Sequence, residues 1–323
     1  MKRDLLAIAV FVAVVGAAPL FTTSGVALNF IMMALYATLL AQAWNLLGGY
    51  GGQFSFGHAL FFGTGAYVQA MAQLKLGLNA WAALVLAVTA AAAVGAAVGG
   101  LSFRYGLKGS YFALVTLAFA EVFRIGAVSL DITGGGVGLM LPLREGLAQL
   151  QFASRAGYVW LALAGVALAL LVTAGLRHSR FGARLQAVRD NEDAARAVGV
   201  SPLATKLAAT VLSAAFMGAG GVFYVQVFQY IDPAIAYGPS TSVEALVGAI
   251  VGGMGTLWGP VLGALVLHVL AELTRNLFGQ LPGINMVIYG TVLVLIVMFL
   301  PRGIAGIGAS VRGALGWQER RDD

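Results

Sequence analysis

The sequence contains no cysteine, and only 10% of its 323 residues are charged. The absence of cysteine excludes disulfide bonds and thiolate chemistry. A soluble domain carries about a quarter charged residues, so this chain has too few charges to cover a surface that faces water. Hydrophobic residues make up 60% of the chain, and the mean hydropathy is +0.89. These values indicate a protein whose main solvent is the lipid bilayer.

Histidine is scarce as well. His58, His178 and His268 lie far apart, and the chain has no His-Glu-x-x-His motif, so we expect no metal site. It also lacks Gly-x-x-x-x-Gly-Lys-Ser/Thr, the loop that holds nucleotide phosphates. Any ATP and Mg²⁺ would therefore be bound by partner subunits. We expect no catalytic residue and no cofactor in this chain, so the pattern does not favour a membrane-embedded enzyme.

The net charge of +6 does not indicate nucleic-acid binding, because the basic residues occupy short loops between apolar segments. Such loops set the orientation of a membrane protein, with their positive charge on the cytoplasmic side. The N-terminal sequence MKRDLLAIAVFVAVVGAAPL resembles a signal peptide. Because further apolar segments follow it, we interpret it as an uncleaved first span.

Ten segments are long and apolar enough to be spans, counting a short one. The sequence therefore predicts an all-α, polytopic membrane protein of about ten transmembrane helices, with residues 1–323 forming a single transmembrane domain. The predicted spans are Leu5–Phe21, Val26–Leu47, Gly57–Leu74, Ala80–Leu101, Tyr111–Leu130, Gly157–Leu176, Thr205–Phe228, Ser242–Gly253, Leu257–Asn276 and Ile284–Leu300.

Four basic clusters follow an even number of these spans. They are Lys2 with Arg3, Arg104 with Lys108, the loop 177–206 and the tail 301–323. All four share one side only if Ser242–Gly253 crosses the membrane, which is the interpretation we favour; a re-entrant segment there would put the tail outside. We therefore expect a multi-pass protein of the cytoplasmic membrane with both termini cytoplasmic.

Glycines cluster in two apolar regions, Gly48–Gly65 and Gly248–Gly263. Glycine interrupts helices and lets their backbones approach closely. Two interrupted segments in corresponding halves predict an internal repeat around a central pathway. Ordinary tight packing of membrane helices would explain most of the same glycines.

The loop 177–206 carries six Lys or Arg against three acids. Asn191 is placed to cap a helix that begins with Glu192 and Asp193, which favours the helix dipole. Ala194 and Ala195 contribute to a small-residue face, and Gly199 suits the position just past the helix end. A loop that only sets topology needs neither a cap nor such a face, so the pattern predicts a docking helix.

Asp193-Ala194-Ala195 followed by Gly199 resembles the EAA…G loop of ABC-importer permeases, with Asp193 where Glu is usual. Six further strings resemble branched-chain amino acid permeases over most of the chain: NLLGGYGGQFSFGHALFFGTGAY, LKGSYFALVTLAFAEVFR, TGGGVGL, SRFGARLQAVRDNEDAARAVGV, VGGMGTLWGPVLGA and PRGI. The resemblance implies a coupling helix that docks on an ATPase. It also implies a second homologous permease subunit, two ABC ATPase subunits and a periplasmic or surface solute-binding protein.

Individual polar residues give weaker signals. We expect Glu121 and Arg124 to form a local ion pair. For His58 we favour a role in hydrogen bonding between helices over contact with the solute. The residues proposed for ATPase coupling are Arg189, Glu192, Asp193, Ala194, Ala195 and Gly199. Candidates for the translocation path are Gln53, Ser55, His58, Thr116 and Glu244, although Glu244 also suits a capping role. Candidates for a receptor-facing loop are Thr133, Gly134 and Gly135.

The expected function is that of a permease subunit that forms half of the path for branched-chain or other hydrophobic amino acids. Urea, short amides or another small organic solute remain alternatives, because the sequence does not name the solute. An ion-coupled secondary transporter is a further alternative; it usually shows buried acids along its path, whereas the candidate acids here fall near span ends.

Overall fold

The computed structural model describes residues 1–278, 287–288, 290–291, 294–295, 298 and 303–306. It is all-α apart from two short strands, as the sequence predicts. The helices are α1 (Lys2–Phe21), α2 (Gly25–Asn45), α3 (His58–Leu76), α4 (Ala80–Arg104), α5 (Gly109–Ser129), α6 (Arg155–Arg177), α7 (Arg180–Asp190), α8 (Glu192–Ala197), α9 (Pro202–Phe228), α10 (Pro233–Tyr237), α11 (Pro239–Gly252) and α12 (Gly259–Phe278). The strands are β1 (Leu139–Met140) and β2 (Tyr230–Ile231), which pair antiparallel.

Helix α2 forms the centre of the bundle. Its sequence is apolar on nearly every face, which is typical of a helix surrounded by others. It packs against α6, α9, α11 and α12, and Met32, Leu40 and Trp44 have no exposed surface. Helix α1 lies at the periphery, where only Ile8 is buried. The core therefore surrounds α2, and α1 is left to face lipid.

Helices α3, α4 and α9 form the second packed group. Small residues meet at their contacts: a Cβ at Gly65 would overlap the backbone of Gly218, and one at Gly95 would overlap Ala214. Small residues allow membrane helices to approach closely enough for backbone contact. Part of the glycine content is thus explained by packing, which the sequence left as an alternative.

Eight helical segments of the described residues are long and apolar enough to cross a membrane. They are Lys2–Phe21, Gly25–Tyr50, Ala80–Arg104, Gly109–Ser129, Arg155–Arg177, Pro202–Phe228, Pro233–Gly252 and Gly259–Leu277. Helix α3, predicted as the span Gly57–Leu74, is not among them; most of it is buried in protein. The predicted short span Ser242–Gly253 becomes part of the longer pair α10 and α11. The tenth predicted span, Ile284–Leu300, and the tail lie largely outside the described residues.

One end of the bundle, here called the basic end, gathers the first three basic clusters. His178 Nε2 lies 2.8 Å from a carboxylate oxygen of Asp4, which joins the end of α6 to the N-terminus. Lys108, just before α5, forms a 3.3 Å ion pair with Glu192 of α8. Gly303 packs against the backbone of Gly253. The start of the predicted tail therefore returns to the loop that follows α11.

Candidate functional site

The predicted docking loop folds as two short helices, α7 and α8, at the basic end. The side chain of Asn191 accepts hydrogen bonds from the backbone N–H groups of Asp193 and Ala194, at 3.1 and 3.0 Å. This is the N-cap that the sequence predicts. Gly199 follows the helix with φ +85°, the left-handed conformation that glycine adopts at helix ends. Both boundaries of α8 are therefore set by local sequence.

Glu192 attaches α8 to the bundle. One carboxylate oxygen lies 2.6 Å from Nζ of Lys206 in α9 and 3.3 Å from Nζ of Lys108. The Lys206 side chain is almost fully buried, and its ammonium also lies over the ring of Phe103. Partial burial raises the pKa of Glu192, but the hydrogen bonds and charges of the two lysines outweigh it and lower that pKa below its ordinary value. Glu192 is therefore an ionised link between α8, α9 and the start of α5.

The outer side of α8 carries the residues that can meet another protein. The Asp193 side chain is 80% exposed, and Val198 is 79% exposed. Ala194 is exposed as well, whereas Ala195 is buried against the chain itself. Of the six coupling candidates, Glu192 and Ala195 thus hold the helix in place, and Asp193 and Ala194 face outward.

Arg189 connects α7 to both glycine clusters. Its guanidinium donates a 3.0 Å hydrogen bond to the carbonyl oxygen of Gly49. Its aliphatic stem lies against Gly52, where a Cβ would overlap it, and its tip approaches Gly255. A displacement of α7 would therefore reach the end of α2 and the loop after α11 through one side chain.

The two glycine clusters meet directly. Asn45 accepts a 2.8 Å hydrogen bond from the N–H of Gly255 and donates a 3.0 Å bond to the carbonyl oxygen of Thr256. Gln42 donates a 2.7 Å bond to the carbonyl oxygen of Leu257. These side-chain amides pair backbone groups of the loop that have no partner within a helix. The end of α2 and the loop after α11 thus form one hydrogen-bonded unit.

His58 links the start of α3 to α9. Its Nδ1 lies 3.0 Å from Ser55 Oγ and its Nε2 lies 2.9 Å from Ser213 Oγ. The Ser213 hydroxyl donates a hydrogen bond to the carbonyl oxygen of Ala43, so Ser213 Oγ accepts from His58 Nε2–H. These bonds agree with the helix-to-helix role favoured by the sequence. A place for His58 in a translocation path stays a prediction.

The other path candidates occupy different places. Thr116 is buried on α5, where its hydroxyl donates to the carbonyl oxygen of Ala113. Gln53 and Ser55 also point into the protein. Their neighbours Phe54 and Phe56, which sequence reasoning passed over, are 38% and 39% exposed. Burial thus alternates along this non-helical segment, which lies between two predicted spans.

Glu244 faces an open groove of about 380 Å³ between α2, α11 and α12. His268 lines the same groove, with its ring 4.8 Å from that of Phe30, centroid to centroid. The remaining lining is mostly Ala, Gly, Val and Leu. Glu244 is exposed rather than engaged as a helix cap. The predicted pair Glu121–Arg124 forms as a two-bond contact of 2.8 and 2.6 Å on the free face of α5. Glu121 lies near the middle of this helix, so the expectation that it falls near a span end is wrong.

The opposite end of the bundle carries the glycine turn predicted to face a receptor. Thr133 is buried, and its hydroxyl lies 2.6 Å from the carbonyl oxygens of Ala127 and Leu130 at the end of α5. Gly134 and Gly135 have positive φ angles of 78° and 58°. The turn leads into β1, and its most exposed apolar side chain is Val137. Thr133 therefore shapes this turn from inside.

Comparison with known proteins assigns this chain to a family. A family model described as the permease component of a branched-chain amino acid transport system matches residues 26–297. The chain belongs to this family. It is thus a multi-pass membrane permease component of the ABC-transporter type, a transporter subunit rather than an enzyme.

Individual relatives agree with this assignment. The permease is 30% identical over 329 residues to the high-affinity branched-chain amino acid transport system permease protein LivM of Escherichia coli (strain K12), covering 94% of this chain and 75% of LivM. It is 24% identical over 296 residues to LivH of the same strain, covering 86% and 94%. The nucleoside ABC transporter permease protein NupC of Lactococcus lactis subsp. cremoris is 28% identical over 155 residues, covering 43% and 46%. No solved structure matches the chain.

Proposed function

We propose that this permease forms half of a translocation path for branched-chain or other hydrophobic amino acids. A second homologous permease supplies the other half, two ATPase subunits bind ATP and Mg²⁺, and a solute-binding protein delivers the solute. The names of the relatives LivM and LivH support the solute class. NupC, a nucleoside permease of the same kind, matches a smaller part of the chain, so the amino-acid assignment is preferred.

The observation that carries the proposal is the two-sided construction of α8. Its inner side is fixed to α9 and α5 by Glu192, and its outer side exposes Asp193 and Val198. An ATPase bound to the outer side would move α8 and the helices attached to it together. Arg189 would carry the same motion to the two glycine clusters. Closure of the ATPases is thereby converted into a displacement of the path-forming helices.

The basic end is the cytoplasmic end in this proposal. Lys2, Arg104 and Lys108 precede or follow spans there, together with α7 and α8, as expected for positive charge on the cytoplasmic side. Both termini would then be cytoplasmic in the inner membrane. The solute-binding protein would dock at the opposite end, around the glycine turn and Val137.

A pair of matched substitutions tests this arrangement. Val198 and Val137 are both valines, both are 79% exposed, and they lie at opposite ends of the bundle. We expect Val198→Asp to abolish co-purification of the ATPases and Val137→Asp to leave it intact. In proteoliposomes, Val137→Asp is expected to weaken uptake that depends on the solute-binding protein. Thermal unfolding in detergent checks that neither variant is destabilised.

The measurement also separates the alternatives. ATP-independent uptake by this chain alone would contradict the proposal and favour an ion-coupled transporter. Normal ATPase association of the Val198→Asp variant would contradict docking through α8. Binding of urea or a short amide, but no aliphatic amino acid, to the solute-binding protein would contradict the solute class alone.

A further inference from the structure

The segment Gln53–Gly57, which joins α2 to α3, has an alternating pattern of exposure. Gln53, Ser55 and Gly57 are buried, whereas Phe54 and Phe56 are exposed by more than a third. The segment thus has one protein-facing edge and one open, aromatic edge. Large apolar side chains thus stand on the free edge of a non-helical stretch.

This segment turns back into the bundle. His58 bonds Ser213, the twelfth residue of α9, and Gly57 packs against Thr116, the eighth residue of α5. Both α5 and α9 begin at the basic end. At 1.5 Å per residue these contacts lie roughly 16 and 10 Å along the two helices. The segment therefore lies at membrane depth, although its backbone is not helical.

A non-helical backbone at membrane depth does not face lipid, because its polar groups would have no partner there. It is found only against protein or along a water-filled cavity. The open edge of Phe54 and Phe56 must therefore face a second subunit or the path. Ring-to-lipid contact, the usual explanation of an exposed phenylalanine in a membrane protein, does not fit this backbone.

We propose that Gln53–Gly57 lines the translocation path and that Phe54 and Phe56 contact the aliphatic side chain of the passing solute. The inference rests on the function proposed above and assigns the solute-contacting residues within it. Buried Trp44 supports the first ring edge to face, with centroids 5.7 Å apart, and its indole N–H donates to the carbonyl oxygen of Ser55. The apolar rings are thus held on a fixed backbone, which suits a weak contact with an aliphatic group.

The same segment is tied to the docking element. Gly52, directly before it, has φ +64° and lies against the stem of Arg189 in α7. Phe54 follows Gly52 by two residues, so a movement of α7 would be transmitted to Phe54. Both the contact with solute and its release would follow the state of the ATPases.

The absence of native cysteine allows a direct test by single cysteines in the assembled transporter, reconstituted in nanodiscs. The variants are Phe54→Cys, Phe56→Cys, buried Ser55→Cys, and Leu168→Cys as an exposed apolar control midway along α6. We expect a charged methanethiosulfonate reagent to modify the first two about tenfold faster than the controls, because a thiol in apolar surroundings has little thiolate. Leucine delivered by the binding protein is expected to slow that modification.

A second measurement tests the inference if the cysteine variants assemble poorly. Phe54→Leu and Phe56→Leu keep an apolar side chain, and we expect each to change the uptake ratio of leucine to alanine by about tenfold, as a change of apolar contact in a pocket does. Labelling no faster than at Leu168, an unchanged uptake ratio, or cross-linking of both cysteines to the second permease would overturn the inference. The unmodified transporter must still assemble with its ATPases and take up solute. If it does not, the proposed function has failed instead.

Discussion

At the residue scale, Glu192 decides whether α8 is part of the bundle or a free loop. Lys206 is almost completely buried, and a buried ammonium is stable only with a partner. Glu192 supplies that partner and reaches Lys108 as well. The charge pair therefore serves attachment, and the neighbouring Asp193, which is exposed, remains free for contact with another protein.

Replacing Glu192 by Gln tests this attachment. The variant leaves Lys206 buried beside a neutral amide, so we expect destabilisation on the order of 2 kcal/mol, the cost of an incompletely paired buried charge. Thermal unfolding in detergent measures it. The control is Asp193→Asn on the same helix, which removes an exposed ion pair with Arg196 and should leave the unfolding temperature unchanged. Equal effects of the two changes would show that burial of Lys206 is unimportant.

The lowered pKa of Glu192 gives this attachment a pH dependence. Because the carboxylate holds its proton less tightly in the folded than in the unfolded chain, its contribution to stability is complete above the ordinary Glu pKa of 4.5. The contribution is lost as pH falls below that value. The difference in unfolding temperature between the native protein and Glu192→Gln should therefore shrink below pH 4.5. A constant difference down to pH 3 would contradict the assignment.

At the scale of elements, the α11–α12 hairpin depends on glycine. A Cβ at Gly263 would overlap the carbonyl oxygen of Gly248, and one at Gly252 would overlap that of Gly259. Backbone atoms cannot rotate away as side chains do, so the two helices would have to separate. Such close approach is what small residues provide in membranes, where association depends on packing.

We therefore expect Gly263→Ala to destabilise the permease by about 1–3 kcal/mol, the usual cost of overpacking a tight contact. Gly126→Ala is the matched control, because Gly126 lies in helix α5 with open space around its Cα. Alanine favours a helix over glycine by up to about 1 kcal/mol, so the control should be neutral or slightly stabilising. Unfolding temperatures of the two variants provide the comparison. A loss of stability in both variants would contradict the packing argument.

At the scale of the whole molecule, the two ends of the bundle differ in charge and in shape. The basic end carries α7, α8 and the loop after α11, whereas the opposite end carries the paired strands β1 and β2 and the glycine turn. The ATPases and the solute-binding protein of the proposed transporter would thus have separate surfaces on one chain.

Single cysteines in this cysteine-free chain establish the orientation. We expect Tyr105→Cys at the basic end and Asp323→Cys in the tail to react only from the cytoplasmic side. Val137→Cys should react only from outside. Tyr105 and Val137 are both highly exposed, so access to the side chain does not bias the comparison. Reaction of the tail from outside would show that α10 and α11 do not complete a crossing.

Sequence alone determined the class of the molecule and, within a few residues, the limits of most of its long helices, although α3 is not among the candidate spans and α10 and α11 form one longer segment. Apolar length sets the spans, and short-range rules set α8, whose cap at Asn191 and stop at Gly199 depend on residues within a few positions. The local pair Glu121–Arg124 follows from helical spacing in the same way. These features need no knowledge of distant parts of the chain, because the interactions that produce them are local.

Only the tertiary structure decided which side of each segment packs against the rest of the protein. It turned Glu192 and Ala195 inward, joined Asn45 to Gly255 across 210 positions, and placed Phe54 and Phe56 on the open edge beside buried Ser55. In an apolar chain nearly every face is compatible with lipid, so hydrophobic periodicity carries little information about direction. The direction is fixed instead by which backbone groups must be paired and by which glycines permit contact, and both depend on residues far apart in sequence.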